Sequence, residues 1–257
     1  MITLYLQAPF AACRTFTAGW YRPTATFLTP SAIYGLLLNV AGIESRLREE
    51  HEDHDGSAAA TLTVKGLPST QLAVGVPTAE LQGKGTLVPI QDAEMFPQVQ
   101  TVFQQLHNYP VGASGKEKAE ACKGNKYNIT PVRREFLSDI RAIIALRSSE
   151  DFENRICKGL AGQLNSGRYG VPFLGDNSFL PDRLEEISTA IPTRWFEQLG
   201  PASEMGMRDR ATRLTISIDR ADLSRTTSGL FAPTTEASST PPDSAWIQMG
   251  EPQEPPS

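Results

Sequence analysis

Three stretches of the sequence interleave cationic and aromatic side chains in a way that suits unpaired nucleic acid. Arg14, Trp20, Tyr21 and Arg22 precede the first helical pattern. Lys116, Lys118, Lys123 and Lys126 lead into Tyr127, Arg133 and Arg134, and Arg168 adjoins Tyr169. Flat rings stack on unpaired bases while guanidinium and ammonium groups neutralise phosphates. Ser31 stands where the start of a helix would add free backbone N–H groups and a positive dipole end. The same composition also fits ordinary solvated loops, and Trp20 or Tyr21 could simply pack beneath one.

Catalytic chemistry is harder to assemble. His107, followed by Asn108-Tyr109-Pro110, can be drawn together with Tyr109 and Lys116 as a metal-free RNA-cleaving set. Such a set needs a base for the 2′-OH proton and cations for the developing phosphorane. Nothing in the spacing fixes their geometry, and a histidine at a strand end is the simpler reading. His51 and His54 lie in an acidic run without the fixed partner ligands of a metal site, so a solvated loop is expected there. Gly112-Ala113-Ser114-Gly115-Lys116 has two residues between its glycines where a phosphate-binding loop needs four, and Glu117 replaces the magnesium-binding hydroxyl. No Gly-x-Ser-x-Gly elbow or His-Glu-x-x-His helix is present. No metal or cofactor is expected.

Charge first points away from RNA, because the 257-residue chain carries a formal −5. The acids are unevenly placed. Five fall in Glu49–Asp55 and four in Phe231–Ser257, neither segment holding a Lys or Arg, and without them the body is +4. The distribution therefore matters more than the average. With 40% hydrophobic residues the chain can bury a core. Its longest apolar stretch, Ala32 to Ile43, is too short to span a membrane. Three widely spaced cysteines (Cys13, Cys122, Cys157) suit neither a disulfide framework nor a zinc site, and a cytoplasmic location is expected.

Periodicity suggests the elements that must position these loops. Ile2, Leu4 and Leu6 alternate with polar residues as in a half-buried strand that Pro9 should stop. Thr29-Pro30 has the pattern of a helix start, followed by Ile33, Leu36, Leu37, Val40 and Ala41 on one face. Strands are predicted at Leu62–Lys65, Gln71–Val76, Gly85–Ile90, Thr101–Leu106, Phe136–Leu146 and Thr212–Ile218, the fourth and fifth with a helical alternative. A second helix over Glu150–Leu164 would be capped by Ser148 or Ser149, and a short helix is predicted at Leu184–Ile187. The succession outlines an α+β, split β-α-β ferredoxin-like unit over 1–228. Residues 229–257, rich in Pro, Ser, Thr and acid, are expected to form a disordered tail, with docking of Trp246 and Ile247 as an alternative.

Two blocks carry a family resemblance. Pro9-Phe10, Arg14 and the run Arg22-Pro23-Thr24-Ala25-Thr26-Phe27-Leu28-Thr29-Pro30-Ser31-Ala32-Ile33-Tyr34-Gly35-Leu36-Leu37 resemble the opening of the fifth Cas protein family. Arg134-Glu135-Phe136-Leu137 and Gly167-Arg168-Tyr169-Gly170-Val171-Pro172-Phe173-Leu174-Gly175 resemble later family elements. These are RAMP-superfamily subunits of type I CRISPR Cascade that cap the crRNA 5′ handle, and the sequence is most similar to the type I-B branch. The resemblance implies an RRM/RAMP core with a basic β-hairpin thumb, here about 107–130. It implies handle contacts from Arg14 to Ser31, and as partners the backbone RAMP subunit, the large subunit and, through the complex, target DNA. The type I-C branch processes crRNA with a Tyr, Lys and His set. The adjacent Lys-His pair expected there is missing, so a non-catalytic binder is expected, with a metal-independent endoribonuclease as the alternative.

Overall fold

Leu4, Leu6 and Ala8 of strand β1 (Ile2–Ala11) are buried in one hydrophobic cluster with the helices, while Tyr5 is buried in a second cluster on the opposite face. This is the two-faced division that a period-two strand imposes. The computed structural model describes residues 1–15, 21–47, 62–83, 85–107, 129–165, 167–168, 170–200 and 210–250. β1 pairs antiparallel with β7 (Ile129–Ser148) on one edge and with β8 (Arg183–Glu186) on the other. β7 pairs antiparallel with β3 (Thr70–Pro77), giving the central order β8-β1-β7-β3. Helix α1 (Pro30–Val40) lies between β1 and β3 in the chain, and α2 (Glu150–Leu160) between β7 and β8. The class is α+β, mostly antiparallel sheet with two helices among the described residues.

Outer strands widen this centre. β9 (Thr193–Gln198) and β12 (Ile247–Met249) share the free edge of β3, and β11 (Thr227–Pro233) and β10 (Thr212–Ser217) follow from β9. β4 (Ala79–Gln82) and β5 (Thr86–Pro89) make a separate hairpin. Beneath it Tyr5, Ala73, Ile143, Ala145 and Trp195 form the second cluster. The first half of β7 extends past the centre, pairing on one side with β6 (Gln98–His107) and on the other with the short parallel strand β2 (Tyr21–Arg22).

The helices are held by local chemistry legible in their ends. Thr29 Oγ1 accepts from the Ala32 N–H at 3.3 Å, with Pro30 in the first turn, and Ser149 Oγ accepts from the Phe152 N–H at 3.4 Å. The helices meet where α2 has Gly159, at which a Cβ would sit 1.9 Å from the Val40 carbonyl oxygen. Arg155 donates to the carbonyls of Ala41 at 3.2 Å and Gly42 at 3.4 Å, satisfying the C-terminal end of α1.

Several expectations need correction. Pro9 does not end β1, which continues to Ala11; it falls between the Ala8–Ile140 and Phe10–Ser138 pairs, where Asp139 takes φ 57° and β8 no longer needs a donor from β1. Leu62–Lys65 contributes only a bridge from Thr63 to Arg46. Leu184–Ile187 is not a helix: Arg183–Glu186 is an edge strand on β1. The loose tail is also wrong over its described part. Ile247 is docked as expected, but Phe231, Ala232, Ala245 and Met249 are buried as well, and β11 and β12 join the sheet. A few apolar residues among many Pro and Ser suffice when a sheet edge supplies the rest of the contact. The strand reading of Thr101–Leu106 holds as part of β6. Of the segment expected to be a thumb, 108–128 lies outside the described residues.

Candidate nucleic-acid interface

β2 is two residues long, yet it brings two separate basic stretches together. Its parallel register sets Tyr21 beside Arg133 and Arg22 beside Arg134. Arg14 joins them through a bridge to Thr24, which is stitched to β1 by the Cys13 N–H donating to Thr24 Oγ1 at 3.0 Å and the Ala25 N–H donating to Cys13 O at 2.7 Å. Arg14, Arg22 and Arg134 thus gather on one face of the outer part of β7, while Arg133, next to Arg134 along the strand, belongs with Tyr21 to the opposite face. Burial, then the charges of Arg134 and Arg22, push the Arg14 guanidinium below its ordinary value, and Asp176 partly restores it. A guanidinium stays charged under such a shift, so the cluster is a fixed positive site.

One carboxylate is set against each face. Glu135 accepts from the Tyr21 hydroxyl and, through Oε2, from the Thr24 N–H at 3.3 Å. That hydrogen bond, with burial and the carboxylate charge, raises the Tyr21 phenol, against a lowering by Arg133. Asp176 Oδ2 lies 3.6 Å from an Arg14 guanidinium nitrogen and 3.6 Å from one of Arg134. Three cations against the one carboxylate of Asp176 leave the Arg14–Arg22–Arg134 cluster positive.

A stacking surface lies on the opposite sheet face. The Arg133 guanidinium lies 5.0 Å from the centroid of the Tyr21 ring. On its other side Arg133 is directly paired with Phe103 of β6, and directly paired residues share a sheet face. Phe103 is 75% exposed, the most exposed of the large apolar side chains described. The row Tyr21–Arg133–Phe103 alternates ring, cation and ring across three strands, the pairing that suits unpaired bases and their phosphates.

Of the residues singled out from sequence, Arg14, Arg22 and Arg134 come together on one face of the sheet and Tyr21 and Arg133 on the other. Ser31 lies in the first turn of α1, half-buried, its Oγ 3.2 Å from Thr29 Oγ1. Arg168 does not join the group. It donates to the Gly159 carbonyl where α2 meets the C-terminal end of α1, roughly 15 Å from the start of α1 by helix rise. Trp20, Tyr109, Lys116, Lys118, Lys123, Lys126, Tyr127 and Tyr169 lie outside the described residues, as do His51 and His54. His107 is described only as the strand-end partner of Ile129. Phe103, Glu135 and Asp176 were missed. Phe103 sits in an apolar run that periodicity cannot separate from core, and the two acids acquire meaning only through partners distant in sequence.

The described residues thus form a mostly antiparallel α+β fold that carries an arginine cluster and exposed rings. Residues 1–210 match the family described as "CRISPR-associated protein (Cas_Cas5)", so the chain belongs to that family. A solved chain from a "CRISPR RNA-guided surveillance complex" has a similar fold, with TM-score 0.50 and 13% identity over 92% of this chain and 90% of that one. Another, from a "Crystal structure of Cas protein", gives TM-score 0.41 and 13% identity over 91% and 93%. No curated protein matches the sequence.

Proposed function

We propose that this protein is the non-catalytic subunit of a type I CRISPR Cascade surveillance complex that holds the 5′ handle of the crRNA. The observation that carries the reading is the gathering of Arg14, Arg22 and Arg134 on one face of the outer part of β7, with the row Tyr21–Arg133–Phe103 on the opposite face. Phosphates would be neutralised by the arginines and unpaired bases stacked on the rings, with no turnover. Family membership supports the CRISPR assignment, and the similar solved chain, part of an RNA-guided surveillance complex, supports the RNA partner. The core reads as ferredoxin-like because its β-α-β-β-α-β succession and the all-antiparallel order β8-β1-β7-β3 fit that arrangement. The β6–β7 ribbon that runs out to residues 107 and 129 fits the base of a thumb. Phe10, Val99 and Val102 are exposed apolar residues near it, suited to contact with the backbone and large subunits.

The test is co-expression of the complex, with sequencing of the RNA that co-purifies and incubation of the purified protein with repeat RNA in EDTA. Bound RNA beginning with a uniform repeat-derived 5′ handle, together with intact repeat RNA, is the expected outcome. Products ending in a 2′,3′-cyclic phosphate, lost in His107→Ala, would instead establish the endoribonuclease.

A further inference from the structure

We infer that Asp176 is a specificity-determining residue of the arginine cluster, a fixed negative charge that keeps Arg14 and Arg134 together and makes them selective for a well-placed phosphate. The inference rests on the proposed RNA-binding role of the cluster. Its placement is built by the chain. Gly175 takes φ 76°, and a Cβ there would lie 1.9 Å from the Ala12 carbonyl oxygen, so only glycine lets this turn lie against the end of β1. Leu174, buried at 1%, accepts from the Ala12 N–H at 2.9 Å, and its own N–H donates to Phe179 O at 2.9 Å. Phe179 packs against Phe10 and Phe136 at ring separations of 5.7 and 5.8 Å. Within the closed turn Asp176 Oδ1 accepts from the Ser178 N–H at 3.0 Å, which leaves Oδ2 facing the arginines.

The distances are those of attraction without full pairing. At 3.6 Å neither guanidinium reaches ordinary hydrogen-bond length to Oδ2. Arg134 Nε is buried with no hydrogen-bond partner. The carboxylate therefore offsets the repulsion between two like charges but leaves donor capacity unused, a state that a phosphate placed between them would complete. The same carboxylate repels any polyanion that cannot make those bonds. A randomly placed strand meets a weakened cluster, and a strand fixed by its neighbours meets two oriented forks.

Asp176→Asn tests this because the amide oxygen can still accept from Ser178 while the charge is gone. The full chain is titrated by fluorescence anisotropy with a labelled oligouridylate and with repeat-derived RNA carrying the 5′ handle, at several salt concentrations. Expected is a roughly two- to fivefold gain in oligouridylate affinity. The plot of log affinity against log salt should steepen by about 0.7, one further phosphate neutralised. The preference for handle RNA should fall. Asp176→Glu should keep the wild-type slope, and Asp151→Asn, the same charge removed from the first turn of α2, should change neither. Equal weakening on both RNAs, no change, or the same gain from Asp151→Asn overturns the inference and leaves the RNA-binding reading standing. Absence of RNA binding by every variant overturns both.

Discussion

Tyr34 shows how one side chain couples a helix to the strand it precedes. Its hydroxyl donates to the Pro68 carbonyl at 2.7 Å, tying α1 to the turn before β3, and burial pushes the phenol up to about 12 from the ordinary 10. The fold favours the neutral form, so this stabilisation is complete below pH 10 and lost as pH rises towards about 12. Tyr34→Phe should lower stability by ~1 kcal/mol near neutral pH, from the lost hydrogen bond. It should also make the alkaline decline shallower, as read by urea unfolding at successive pH values. An alkaline decline as steep as in the wild type would contradict the assignment. Cys13 is governed by the same physics: burial raises its thiol to about 11, so it should resist alkylation in the folded protein at pH 8, roughly three units below that value. Cys157, partly exposed, should react before Cys13.

At the scale of elements, the contact between α1 and α2 depends on the absence of a side chain at Gly159. Gly159→Ala should destabilise the fold by about 1–3 kcal/mol in urea unfolding, because the added Cβ meets a backbone carbonyl that cannot swing away. β12 makes the opposite kind of contribution. Ile247 and Met249 are buried in the same cluster as Leu72 of β3, and Ile247→Ala should cost about 2–4 kcal/mol. A change near zero would mean that the C-terminal segment does not hold the edge of β3. These elements also show what the sequence could disclose. α1 and α2 were legible because their caps and apolar faces are local, and β1, β3, β7 and β10 because a period of two survives in them. β2, β9 and β12 were missed because each pairs with a strand distant in sequence, and β11, which pairs with the preceding β10, because it leads into a segment rich in Pro, Ser and Thr. Pro9 misled because a missing N–H matters only where a neighbouring strand would accept it. The candidate site was legible in its arginines and Tyr21, while the register that pairs Arg133 with Tyr21 and Phe103 is a tertiary fact.

Across the whole molecule, the net charge of −5 and the basic cluster call for different kinds of binding. An acidic chain should bind arbitrary RNA weakly, so its affinity must come from a few oriented contacts rather than from bulk attraction. The cluster supplies such contacts at one place, where β1, β2, β6, β7 and the turn after Gly175 meet. The central claim is that Arg14 and Arg22 neutralise handle phosphates there. It is tested most directly by measuring, across a salt series, the affinity of handle-bearing crRNA for complex assembled with wild-type subunit and with Arg14→Ala/Arg22→Ala. The account predicts a loss of about tenfold or more and a log–log salt slope shallower by about 1.4, two phosphate contacts on a single strand. Affinity and slope unchanged in the double variant would contradict it.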